Sequence, residues 1–327
     1  MSDLKKVLLE NDNTIQFNPF DENRVYGFTL QNFEDDNLIS TIHYKVDIVC
    51  IQSYNSSNFS FDINREQVYI DNLAPDLKIE QIADNCSQAI FPIRVKVSEE
   101  GDILDIINHN AIKDRWLPIK ERLSQYYQGN IISEILLKIE SVLVNKKLLT
   151  ESISKMWFFH LYFKPLYIKY DLDQAHNSVW ESPVFGNQII KYDVQQMIEE
   201  YYSATDKIYI NIKGKSADKR TINEVLNRCE YPKSDMAGFK VEPLNSDMEV
   251  QYKLYGEDKS IFSIIGTYKT KITEKIQKTT QIEIYHLPEN SSFRPDSKSK
   301  QKRASYWQEE NEPVKEKNSF WSIFKLF

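Results

Sequence analysis

Apolar and polar side chains alternate in short stretches of this chain, and the clearest succession of elements lies within residues 93–127. Residues 93–97 (IRVKV) alternate with a period of two, which is typical of a strand with one buried face. Residues 99–102 (EEGD) have the chemistry of a tight turn, and residues 103–107 (ILDII) predict a second strand. The side chains of residues 108–110 (NHN) can cap a following helix. This stretch therefore predicts a β-hairpin that leads into a helix.

The same two-residue period recurs on both sides of this unit. It is seen in residues 42–50, 59–63, 207–213, 250–254, 261–271 and 279–287. Strands that are joined by short polar turns favour antiparallel pairing. Residues 174–203 fit a strand and a helix equally well.

Helical spacing dominates the middle of the chain. Apolar residues recur three and four positions apart in residues 111–127, 132–143 and 150–163, although Pro118 predicts a kink or a later start in the first of these helices. Residues 156–163 (MWFFHLYF) are apolar nearly all round, so this helix is expected to be buried centrally or to face a partner.

These patterns predict an α+β fold, in which antiparallel, aromatic-rich β-sheets form two modules with an inserted three-helix layer. The expected boundaries give an N-terminal sheet with the helical layer (residues 1–175) and a C-terminal α+β sheet module (176–288). A flexible linker (289–318) and an amphipathic tail (319–327) are expected to follow.

Composition narrows the class of protein. The hydrophobic fraction is 41%, which is a globular value, and the formal net charge of −7 is spread along the chain without a clustered basic face. Nucleic acid is therefore not an expected partner. The sequence contains no secretory signal and no apolar run of transmembrane length, and its three cysteines are far apart. We expect a cytoplasmic protein with reduced thiols.

Candidate chemistry is sparse. Asp171, Asp173 and His176 form the only short carboxylate–imidazole cluster, and alternate carboxylates on an extended chain could bind a hard cation. A polar loop that closes the helical layer explains them equally well, so they are only weak metal candidates. Residues 214–216 (GKS) lack the earlier glycine of a phosphate-binding loop, because that position is Tyr209. No catalytic motif is present, and no cofactor is predicted.

The final residues form an amphipathic segment, SFWSIFKLF. Helical spacing places most of its large apolar side chains on one side. The candidate partner-binding residues of this segment are Phe320, Trp321, Ile323, Phe324 and Phe327. The segment can fold back onto its own body, enter a groove of a protein partner or lie on a bilayer surface, since it is too short to span one.

Three functions remain open. The first is a non-catalytic, cytoplasmic binding or adaptor protein of a bacterial kind that engages a macromolecular partner, with the C-terminal tail as the contact. The second is a carrier that holds a small apolar ligand or lipid in a cavity between a curved sheet and helices. The third is an enzyme of unrecognised class. A large apolar pocket would favour the carrier, whereas convergent polar groups with perturbed pKa values would favour the enzyme.

Overall fold

A computed structural model describes residues 5–7, 9, 13–19, 23–51, 58–127, 129–171, 175–186, 188–233 and 242–287. The strands in this part of the chain are β1 (Asn23–Glu34), β2 (Asn37–Ile51), β3 (Phe59–Arg65), β4 (Tyr69–Ile70), β5 (Ile93–Val97), β6 (Ile103–Ile106), β7 (Ala175–Phe185), β8 (Gln188–Ile198), β9 (Lys207–Ser216), β10 (Ser246–Tyr255), β11 (Ile261–Lys271) and β12 (Gln277–Leu287). The helices are α1 (Lys78–Gln88), α2 (His109–Tyr126), α3 (Asn130–Val144), α4 (Lys146–Ser154), α5 (Trp157–Tyr162) and α6 (Ile222–Leu226).

All these strands belong to one antiparallel sheet with the order β6-β5-β3-β2-β1-β12-β11-β10-β9-β8-β7, and β4 pairs with β2. The N-terminal and C-terminal strands meet where β1 pairs with β12, for example Phe28 with Ile284. The strands expected to form sheets in two modules therefore form a single sheet. The boundary expected at residue 175 falls at the start of β7, and the division into separately folding domains stays a prediction.

The α+β class is confirmed, with the sheet as the larger part. The expected three-helix layer is instead four helices, α2 to α5, inserted between β6 and β7. The third predicted helix is divided at Lys155 and Met156, because Met156 has extended backbone angles as the N-cap of α5. Helix α2 continues through Pro118. Residues 174–203, which fitted two readings, contribute the β7–β8 hairpin.

The predicted hairpin and helix at residues 93–127 are confirmed as β5, β6 and α2. The predicted side-chain cap is wrong, because the N-cap residue Asn108 makes no side-chain capping hydrogen bond and its Nδ2 donates to the carbonyl of Pro92 at 2.9 Å. Gly101 has a φ of +107° in the turn, and a Cβ at this position would lie 2.6 Å from the carbonyl oxygen of Lys164. Glycine is therefore required both by the backbone angle and by the close approach of the chain after α5.

The chain after α5 bridges the two edges of the sheet. The backbone N–H of Tyr167 donates to the carbonyl of Glu100 in the β5–β6 turn, at 3.3 Å. On the other side, the ammonium of Lys164 lies 4.7 Å from the ring centroid of Trp180 in β7. Because β6 and β7 are at opposite ends of the strand order, these contacts require the sheet to curve around the helix.

Candidate functional site

Helix α5 fills the centre of the concave face of the sheet. All six of its residues are buried, as the apolar character of the segment predicted. The ring of Phe158 lies 5.3 Å from that of Tyr162 and 6.2 Å from that of Phe28. The hydroxyl of Tyr252 donates to the carbonyl of Leu161 at 2.9 Å. These contacts pack α5 tightly against the middle strands of the sheet.

Polar side chains near α5 form a buried network. Nε2 of His160 lies 3.2 Å from Oγ of Ser182, and that hydroxyl donates to the hydroxyl of Tyr268 at 3.5 Å. Burial lowers the pKa of His160 well below its usual value, and the nearby Lys164 lowers it further. The imidazole is therefore neutral near pH 7. Since Ser182 has no exposed surface, a substrate cannot reach this serine–histidine pair, and its role is structural.

A cavity of about 630 Å³ opens at the rim of the sheet, beside the N-terminus of α5. Four structural units surround Trp157 at this point: the β1–β2, β7–β8 and β11–β12 hairpins and helix α6. We call this space the rim cavity. Its volume lies within the range of roughly 300–1,000 Å³ that is usual for small-molecule sites.

The walls of the rim cavity are mainly apolar. The apolar lining residues are Phe33, Ile39, Trp157, Pro183, Val184, Phe185, Val225, Leu226, Ile272 and Ile276. Polar side chains from neighbouring strands line one side. Oγ1 of Thr280 donates to Oδ1 of Asn32 at 3.1 Å, and Nδ2 of Asn32 donates to Oγ of Ser40 at 3.1 Å. The cavity thus combines an apolar interior with a small polar side, as sites for amphiphilic ligands do.

Helix α6 is held against the rim by Arg220, which is buried. The guanidinium donates to the Gln188 side chain at 2.8 Å, to the Cys229 carbonyl at 2.9 Å and to the Ile189 carbonyl at 2.7 Å. It also pairs with Asp218 at 2.5 Å. The Thr221 side chain accepts from the backbone N–H of Glu224 and caps the helix. One cation therefore ties the short helix to strand β8.

A larger, more open depression of about 1,150 Å³ lies on the opposite, outer face of strands β7 to β12. Its charged side chains are mostly exposed and several face opposite charges, as in the Lys213–Glu249 pair at 3.3 Å. Exposed ion pairs of this kind contribute little to stability. No aromatic side chain is among the described residues that line the depression. It has the chemistry of a solvated sheet face.

Only some of the site residues predicted from the sequence lie in the described part of the chain. Asp171 and His176 are described, whereas Asp173 and the tail residues from Phe320 to Phe327 lie outside the described residues. Asp171 is exposed, and its backbone N–H donates to the carbonyl of Ala175 at 2.9 Å. Within the described ranges, no three His, Cys, Asp or Glu side chains are grouped so that they could hold a metal ion. The metal and tail assignments stay predictions.

Sequence reasoning missed the rim cavity because its walls come from segments far apart in the chain. The nearest sequence feature is Trp180, which lies close to Pro183 and Gly186 but belongs to no motif. Pro183 and Gly186 do line the cavity, but Trp180 is buried beneath Lys164. The tryptophan that lines it is Trp157, for which the helical pattern predicted a core position.

Comparison with known proteins adds little. No family model matches the chain, and no curated protein matches it. Among solved structures, a porin-like protein from Bacteroides uniformis is 8% identical and covers 85% of this chain and 99% of its own, with a TM-score of 0.18. A TM-score that low supports no conclusion about fold or function. In the described part of the chain, none of the helices has the length and apolar character needed to cross a bilayer.

Proposed function

We propose that this protein binds a small apolar or amphiphilic molecule in the rim cavity and carries it without chemical change. The observation behind the proposal is the contrast between the rim cavity, apolar and open, and the close-packed surroundings of α5. Burying an apolar ligand there would remove apolar surface of both partners from water. The free energy gained is roughly 25 cal/mol per Å² of apolar surface buried. The polar side at Asn32 and Thr280 suits a ligand with a polar end.

Two valines of strand β7 provide a matched test. Val184 lines the rim cavity and is 6% exposed, whereas Val179 faces the outer depression and is 60% exposed. The ligand is the neutral fluorescent probe N-phenyl-1-naphthylamine, with decan-1-ol as a competitor. We expect saturable binding to the wild-type protein and to Val179→Trp, and loss of binding in Val184→Trp because the indole fills the cavity. Circular dichroism establishes that both variants are folded.

The proposal fails if the wild-type protein shows no saturable binding of the probe. It also fails if Val184→Trp is folded and binds as the wild type does. Loss of binding in Val179→Trp alone would place the ligand on the outer face of the sheet.

The adaptor function is a second proposal. Leu137 and Val144 lie seven residues apart on α3 and are 59% and 52% exposed, a spacing that puts them on one side of the helix. Such exposed apolar side chains favour binding of a protein partner, and the tail at residues 319–327 is proposed as a second contact with it. Affinity purification with and without residues 319–327 tests this proposal, and unchanged recovery of every partner would contradict it. We also propose a cytoplasmic location, which the three widely spaced cysteines support.

A further inference from the structure

We propose that the ligand of the rim cavity has an anionic head group and that Lys278 is its counter-ion. This inference rests on the proposed ligand-binding function and specifies the chemical class of the ligand. It starts from the position of Lys278 near the beginning of β12. Successive side chains of a strand alternate between faces, so Lys278 shares the concave face with Thr280, Ile282 and Ile284.

The Lys278 side chain is half-buried and lines the rim cavity. Its ammonium lies 5.3 Å from the ring centroid of Phe185, on the β7–β8 hairpin across the cavity. A cation over an aromatic face is stabilised only modestly by the ring. The ammonium therefore keeps the capacity to donate hydrogen bonds to a ligand.

Lys278 is not neutralised by a contacting carboxylate. Glu34 is its register partner on β1 and also lines the cavity, but it is exposed and forms no ion pair with Lys278. In the part of the chain that the structure describes, no hydrogen bond or ion pair to the Lys278 side chain is formed. A half-buried ammonium without such a partner is costly, and a ligand anion would remove that cost.

Three further observations agree with an anionic ligand. Burial lowers the pKa of Lys278, although the negative charge of Glu34 opposes the shift. An anion in contact would favour the charged form. Arg228 lines the outer part of the same cavity, is exposed and forms no side-chain ion pair within the described residues. Glu34 is the only acidic residue among the described lining residues.

The chemistry that fits is a single apolar chain with a compact anionic end, such as a carboxylate. The chain would occupy the apolar interior beside Trp157 and Phe185, and the head group would lie between Lys278 and the polar side at Thr280. Decanoate and decan-1-ol have the same chain length and differ in the head group. They therefore separate recognition of the charge from binding of the chain.

The test measures competition of decanoate and decan-1-ol against N-phenyl-1-naphthylamine at pH 7.5. We expect the wild-type protein to prefer decanoate by about tenfold or more, which corresponds to one charge-assisted hydrogen bond. Lys278→Met should lose this preference while it retains decan-1-ol. The control is Lys275→Met, which removes an exposed lysine from the β11–β12 turn outside the rim cavity and should keep the preference.

The outcomes separate this inference from the proposed function. If the wild-type protein binds decan-1-ol but shows no preference for decanoate, the anionic head group is wrong and the carrier proposal stands. If Lys278→Met keeps the preference, or weakens both ligands equally, Lys278 is not the counter-ion. If neither competitor displaces the probe and the probe itself does not saturate, both proposals fail.

Discussion

The centre of the concave face and its rim are built from similar aromatic and aliphatic side chains, yet only the centre is filled. At the centre, α5 brings six buried residues against the middle strands, and Tyr252 and Ser182 satisfy polar groups there. At the rim, hairpins and the short helix α6 enclose about 630 Å³, and Lys278 forms no ion pair with any residue that the structure describes. If the rim cavity binds a ligand as proposed, packing that stabilises the fold and surface that binds lie in separate regions of one face.

The largest contrast should appear when an aromatic ring is removed from each region. Phe158→Ala empties a fully packed position and should lower the free energy of unfolding by about 3–5 kcal/mol. Phe185→Ala, at the half-buried rim, should cost about 1 kcal/mol or less because its ring already borders open space. Urea unfolding followed by far-ultraviolet circular dichroism measures both. Equal losses would remove the distinction between a filled centre and an open rim.

The second prediction concerns how the rim is held. Arg220→Ala leaves the carboxylate of Asp218, whose side chain is 8% exposed, without its guanidinium, and should cost about 3 kcal/mol locally. The Val225 amide donates to the carbonyl of Thr221, and its hydrogen exchange should become faster as this local stability is lost. Lys219→Ala, the exposed neighbour, is the control. Unchanged protection of α6 in Arg220→Ala would show that the helix is held by other contacts.

The third prediction uses Lys164, a half-buried lysine beside the centre. Burial lowers the pKa of Lys164 to about 8, from 10.5 in the unfolded chain, although Asp102 and Glu181 oppose the shift. Between these two values the unfolded chain holds a proton that the folded chain has released, so stability contributed by this group rises with pH. Well below pH 8 both states are protonated, and the desolvation penalty of the folded state is fully present.

Lys164→Met should therefore be more stable than the wild type by about 1–2 kcal/mol at pH 7, and this advantage should shrink as the pH rises toward 10. Urea unfolding at pH 7, 8.5 and 9.5 measures the difference. The exposed Lys169→Met is the control and should show no such trend. An advantage that does not change with pH would mean that Lys164 does not titrate in this window.

The smallest effect should come from a single hydroxyl at the centre. Tyr252→Phe removes the hydrogen bond to the carbonyl of Leu161 and should cost about 1 kcal/mol. Binding of a ligand at the rim should be unaffected, because Tyr252 does not line the cavity. Urea unfolding and probe titration on the same sample measure both quantities. A loss of binding would indicate that the centre and the rim are coupled.

Most elements of the fold were predictable from the sequence, although strand β1 (Asn23–Glu34) was missed. The assembly of the elements was not predictable. The strand at residues 93–97 and the apolar helix at 156–163 could be predicted because local patterns show the periodicity of an element and which of its faces is buried. The single sheet depends on the pairing of β1 with β12, whose residues are about 250 positions apart, as with Phe28 and Ile284. Two-residue alternation predicts a strand but does not show with which other strand it pairs.

The rim cavity was less predictable still. Trp157 and Lys278 come together only because the sheet curves, and neither belongs to a sequence motif. Lys278 follows the polar turn before β12 and looks like an ordinary surface lysine in the sequence. Lys278 is half-buried because the β7–β8 hairpin lies across the cavity from it, and this contact is not visible in the sequence. A site assembled from four separate units leaves no periodic signal in the chain.

The most direct test of ligand binding at the rim is a crystal structure of the protein with decanoate that carries bromine at its terminal carbon, analysed by anomalous diffraction. We expect a bromine peak inside the rim cavity, beside Trp157 and Phe185, with the carboxylate at Lys278. A peak on the outer face near Val179, or none at a concentration that saturates the protein in solution, would contradict this expectation.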